Sequence, residues 1–188
     1  MNRRNALGTM VAVGAVTAAV APMAMAADVE VDIWALRWQL SKDYTMKIAD
    51  AMPADSYNYR PAGESSGDGT RNFAEVMQHI AQAEGFYIGR FGKGPAPAAP
   101  KDAAGKADLS KPATLKYLGD TMDYSIGVIK QLTAADMTKV FTAAKGNSPV
   151  VTGLDLLLNA MIHTAHTRGY SDMYLRNKGI KPPTYAVG

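Results

Sequence analysis

Apolar side chains recur every three to four residues along four stretches of this chain, and nowhere do they alternate in twos around a hairpin turn. That period admits helices and excludes a sheet protein. The sharpest stripe is Phe73, Val76, Met77, Ile80, Glu84, Tyr87 and Phe91. It opens with Asn72-Phe73-Ala74-Glu75, an N-cap with an acid three residues on, which can satisfy free amides reciprocally. An earlier stripe, Leu36, Leu40, Tyr44 and Ile48 with Ile33, Trp34 and Trp38 alongside, predicts a helix from about Asp32 to Met52, stopped by Pro53. A third helix is expected from near Ser110, with Pro112 in its first turn and Leu115, Leu118, Met122, Ile126 and Ile129 as its stripe. A fourth is expected from about Thr152 to Lys178, capped by Gly179 and ended by Pro182-Pro183. It is apolar on more than one side, from Leu154 through Leu158 to Met173 and Leu175, and so reads as the most buried. Asp55 to Arg71 and residues 92–107 read as connections. Four amphipathic helices with one long middle connection make an all-α four-helix bundle.

The first 26 residues do not belong to that pattern. Arg3 and Arg4 precede a weakly apolar run from Leu7 to Ala21, then Pro22 and Ala24-Met25-Ala26. This reads as a signal peptide cleaved before Ala27, of the twin-arginine type, leaving 27–188 as one domain in the periplasm or secreted. A stable membrane span wants about 20 strongly apolar residues, so none is expected after cleavage.

The net charge of +3 rests partly on that leader: without Arg3 and Arg4 the rest carries 18 Lys and Arg against 17 Asp and Glu. With no basic stripe, no nucleic-acid partner is expected. There is no cysteine, which excludes disulfides, thiolate nucleophiles and Cys-ligated metals. No P-loop, dinucleotide fingerprint or G-x-S-x-G occurs.

The three histidines, His79, His163 and His166, all fall on predicted helices. His163 and His166 are nearly one turn apart, about 60° in projection. Imidazoles on facing bundle helices are how such folds build sites for zinc or nickel; equally, each can be a half-buried histidine bonded to a carbonyl or to Tyr87, Tyr170 or Tyr174. Glu84 falls on the apolar stripe itself. It is either a charge at the bundle end paired with Arg90 or a lysine, or a buried carboxyl with a raised pKa that serves as acid, base or oxygen ligand. Trp34, Trp38, Tyr57 and Tyr59 read as core and connection packing, with a ligand pocket as the alternative. The scattered methionines read as core.

Several segments together carry a resemblance. Pro53-Ala54-Asp55-Ser56-Tyr57-Asn58-Tyr59-Arg60-Pro61, Asn72 through Glu84, and His163 through Arg168-Gly169 on to Gly179-Ile180-Lys181-Pro182-Pro183-Thr184-Tyr185 follow the order and spacing of the DinB-like family. The match spans about residues 30–185. The resemblance implies a four-helix bundle that often binds a divalent metal, zinc or nickel, through one His on the second helix and an H-x3-H pair on the fourth. His79 and His163 match the first two ligands. The third position is Thr167, and His166 stands one residue early. Tyr170 also departs from the family's polar residue after the Gly. Some members are thiol-dependent transferases or hydrolases; those transferases use cytosolic thiols, which an exported protein would not meet.

Three readings follow: an exported metal-binding protein acting as a metal-dependent hydrolase or transferase, with His79, His163 and His166 as ligands; a metal-free exported bundle that binds a small molecule or a protein partner, a homodimer included, around a degenerate site; and a structural or stress-related exported protein with no ligand.

Overall fold

A computed structural model describes residues 20–61, 71–142 and 151–185, with side chains from Val31 onward. Residues 1–19 of the predicted leader lie outside the described residues.

Helix α1 runs Val20–Ala51, α2 Phe73–Gly89, α3 Lys111–Ile129, α4 Ala134–Thr138 and α5 Gly153–Asn177. The four long helices close a ring in which α2 packs on α3 and α5, and α1 packs on the same two. The short α4 leads into a two-residue strand, β1 (Val140–Phe141), paired antiparallel with β2 (Val151–Thr152) in the register Val140 to Thr152 and Phe141 to Val151. The period-two signal is absent from the sequence here because two residues per strand are too few to carry one.

Local chemistry sets the helix ends. Asn72 and Glu75 form the expected capping box, and Thr152 forms another with Asp155 at the start of α5. Ser110 caps α3 with Pro112 in its first turn. Gly179, at φ +73°, ends α5: its amide donates to Arg176 O and the Ile180 amide to Leu175 O, a Schellman turn that sends the tail back along the bundle. Tyr57 is buried and donates to Ala49 O at 2.7 Å, while Tyr57 O and Tyr59 O accept from Ala74 N and Phe73 N. The Tyr-x-Tyr segment is thus a clamp between the end of α1 and the start of α2.

Two expectations about buried faces need correction. The α1 face that meets the bundle is Ala35, Trp38, Ser41, Tyr44, Thr45, Ile48 and Ala49, and both Ile33 and Leu36 are exposed. Strict i+4 spacing drifts about 40° per step, so a line from Leu36 to Ile48 winds off one face. Nor is α5 the most buried helix: Leu158, Ile162 and Met173 are exposed, whereas Thr164, Thr167, Arg168 and Ser171 face inward. Apolar count overstated its burial because its inner face is built from small and polar side chains.

The core divides into two apolar clusters. One gathers Ile48, Met52, Tyr57, Phe73, Met77, Ile80, Leu118 and Leu175; the other gathers Trp38, Ile88, Ile126, Ile129, Leu156 and Leu157. Between them every long helix contributes buried polar groups: Ser41 and Thr45, Glu84, Thr121 and Ser125, and Thr164.

Candidate functional site

The candidate site lies at the edge of that polar layer, where α2 meets α5. The stripe that buries Val76, Met77 and Ile80 turns His79 toward the α5 side of the helix, half-buried. On α5, burial of Ala160, Thr164 and Thr167 leaves His163 half-buried on the flank facing α2. The two rings meet there: His79 Nε2 and His163 Nε2 are 3.2 Å apart, ring centroids 4.8 Å apart, in an edge-to-face arrangement. Tyr87 flanks the pair, 6.3 Å from His163.

Both imidazoles are biased to the neutral form. Burial holds His79 below the ordinary histidine value, with Arg71 and His163 adding to the effect and the Gln82 side chain, as an acceptor for the ring, opposing it. Burial likewise lowers His163, followed by His166 and Arg71. Neutral imidazole is the ligand form of histidine. His163 Nδ1 is buried with no hydrogen-bond partner.

Two nitrogens bound at about 2.0–2.1 Å to a tetrahedral zinc lie about 3.3 Å apart. The observed separation is therefore that of two ligands of one ion, and equally of one N–H···N hydrogen bond. The donor set fits two coordination positions. It does not complete a three-residue site: among the described residues no group of three His, Asp or Glu side chains could hold a metal. His166 is exposed and its Nε2 lies 3.0 Å from the Tyr170 hydroxyl. Thr167, at the position where the resemblance places a third His, is buried on the inner face of α5.

Glu84 is the neighbour that sequence left open. It is 1% exposed, and it accepts hydrogen bonds from Trp38 Nε1 at 2.9 Å and Thr164 Oγ1 at 2.7 Å. Burial pushes its carboxyl up, against the lowering effect of Trp38, Thr164 and Ser125. The pairing with Arg90 does not occur; Arg90 instead donates to Thr142 O and lies over the Phe141 ring. Glu84 faces the core centre through neutral donors, where a carboxyl is a proton holder before it is a metal ligand.

Arg168 is the residue that sequence reasoning missed. It is buried on α5 between Tyr44 and the C-terminal tail. Its only signal was a charged residue within the apolar span of a helix.

The family model described as the DinB superfamily matches residues 37–171, which include both histidines of the pair, Glu84 and Arg168. A solved DinB-like protein from Bacillus subtilis, YjoA, is similar in fold at a TM-score of 0.59 and 20% identity, covering 82% of this chain and 99% of that one. No curated protein matches the chain.

Proposed function

This chain belongs to the DinB superfamily, and from that premise we propose that it is an exported protein whose His79 and His163 hold one divalent ion, zinc or nickel, in the service of a metal-dependent hydrolase or transferase. The 3.2 Å approach of two neutral imidazole nitrogens carries this reading. A bound divalent ion would supply Lewis-acid polarisation of a substrate oxygen. The protein's own part is to hold the His163 flank of α5 through the Thr164–Glu84 hydrogen bond and to keep both rings neutral by burial. As third ligand, His166 would exchange its contact with Tyr170 for the ion; without it, two positions stay open to water or substrate.

Export rests on Arg3, Arg4 and the Ala24-Met25-Ala26 pattern. Cleavage after Ala26 removes the first seven residues of α1 and leaves the part that packs. Among the described residues no helix is long and apolar enough to cross a membrane.

A second reading, a metal-free bundle with a degenerate site, is favoured by Thr167 and by the lack of a third ligand beside the pair among the described residues. Competition titration of zinc against a chromophoric chelator separates the two. One zinc per chain, lost on His79→Ala, supports the metal site; no competition by the unaltered protein supports the degenerate one.

A further inference from the structure

A cavity of about 290 Å³ opens on the α1 side of α5, on the flank away from His163, lined by Tyr44, Ala165, Arg168, Gly169, Asp172 and Tyr185. It is built partly from the tail: after the Schellman turn the chain returns so that Pro183 O accepts from the Tyr44 hydroxyl at 3.3 Å, and the Tyr185 ring meets Tyr44 edge-on at 5.1 Å.

Arg168 forms the wall of this cavity and is 7% exposed. Its Nη1 donates to Ser41 Oγ at 3.0 Å, Thr45 Oγ1 at 3.1 Å and Ser41 O at 3.4 Å, all neutral acceptors. Its guanidinium lies over Tyr44, 4.8 Å from the ring centroid, and 6.0 Å from that of Tyr185. Among the described residues no carboxylate lies within ion-pair distance of it. Arginine has five N–H donors, and the bonds above use only Nη1. Among the described residues the Nε–Nη2 edge makes no hydrogen bond, and it is not sealed from the cavity. That edge is the flat two-donor fork that matches a carboxylate. One turn away, Asp172 Oδ1 is buried with no hydrogen-bond partner. Burial raises the Asp172 carboxyl against the lowering pull of Arg176, Arg168 and the neighbouring Tyr44 hydroxyl, so its charge is poorly solvated.

A buried cation whose hydrogen bonds all go to neutral oxygens, and whose nearest carboxylate, Asp172, acts on it only from beyond ion-pair distance, is a costly arrangement unless something brings a closer counter-charge. The Asp172 carboxylate disfavours a doubly charged phosphate, and its place in the cavity lining favours a ligand that carries a donor. We propose that this cavity binds a small hydroxy- or amino-carboxylate, its carboxylate on the Nε–Nη2 edge of Arg168 and its hydroxyl or amino group on the cavity-lining Asp172 carboxylate. The His79–His163 pair plays no part in this site, and the inference does not rest on the metal reading.

The test follows the Arg168 Nε–Hε resonance of the whole protein by NMR while L-lactate and L-serine are titrated, with lactamide and inorganic phosphate as controls. A saturable shift with lactate or serine, absent with lactamide, is expected. Arg168→Lys keeps the charge without the fork and should weaken binding, read from shifts of the Tyr44 and Tyr185 rings, by about tenfold or more. Asp172→Asn, chosen in case the Arg168 variant does not fold, should narrow the preference for lactate over propionate. His163→Ala should bind as the unaltered protein does, which separates this site from the metal proposal. No saturable shift with either ligand, or equal shifts with lactamide, overturns the proposal. Equal binding of phosphate, or a lactate-to-propionate ratio unchanged by Asp172→Asn, overturns the assignment of its class.

Discussion

His79 Nε2 and His163 Nε2 stand 3.2 Å apart across the α2–α5 contact, 84 residues apart in sequence. If they share an ion, each is worthless without the other. Zinc at about a hundredfold above its dissociation constant should stabilise the protein by about 2.7 kcal/mol, a rise in melting midpoint of roughly 5–10 °C for a chain of this size. His79→Ala and His163→Ala should each abolish that rise, and the double variant should lose no more than either single one. Thermal melts with and without zinc check this.

Thr167 faces inward one turn beyond His163. Thr167→His places a second imidazole four residues on, the spacing that the family resemblance implies. Apparent zinc affinity should rise by about tenfold or more as a third nitrogen completes the site, measured by chelator competition. No change would mean that the two observed rings do not define the position of an ion.

Glu84 and Trp38 predict a pH signature. An unfolded glutamate titrates near 4.5, and burial raises the native group above that. The native state therefore keeps a proton that the unfolded state releases, so stability is full below 4.5 and declines as pH rises through the native value. Glu84→Gln keeps the shape and removes the titration, so its stability relative to the unaltered protein should climb with pH across that window. Trp38→Phe removes the donor to Oε2 and should cost about 1–3 kcal/mol. Urea unfolding from acid to mildly alkaline pH measures both.

At Gly153, the first residue of α5, an added Cβ would lie 2.0 Å from the backbone oxygen of Asp136. Backbone cannot yield cheaply, so Gly153→Ala should destabilise by about 1–3 kcal/mol or more. Gly127, where a Cβ meets nothing within 4 Å, is the control: Gly127→Ala at this half-buried position of α3 should be neutral or stabilising. Melting midpoints of the two variants provide the comparison.

The helix ends were readable because they are local chemistry. Asn72 with Glu75, Pro112 after Ser110, and Gly179 each act within a few residues of themselves. The side of a helix that meets its neighbours is decided by the other three helices, and there the reading of α1 and α5 slipped. Leu36 and Ile162 point outward while Thr164 and Arg168 point inward, an inversion that no apolar count anticipates. His79 and His163 could be chosen as a pair from their helices and from the family resemblance. That Nε2 faces Nε2, that His166 turns to Tyr170, and that Glu84 is bonded to Trp38 and Thr164 depend on rotation about helix axes and on rotamers set by packing. The Arg168 cavity depends on a tail that returns from beyond the last helix to α1, a contact of residues 139 apart.

The most direct measurement is elemental analysis of the protein purified without chelator or nickel resin, beside His163→Ala handled in parallel. The account predicts close to one zinc, nickel or other divalent ion per chain, absent from the variant. No metal in either preparation, persisting after incubation with excess zinc and desalting, would contradict it, and would make the 3.2 Å contact a hydrogen bond between two histidines.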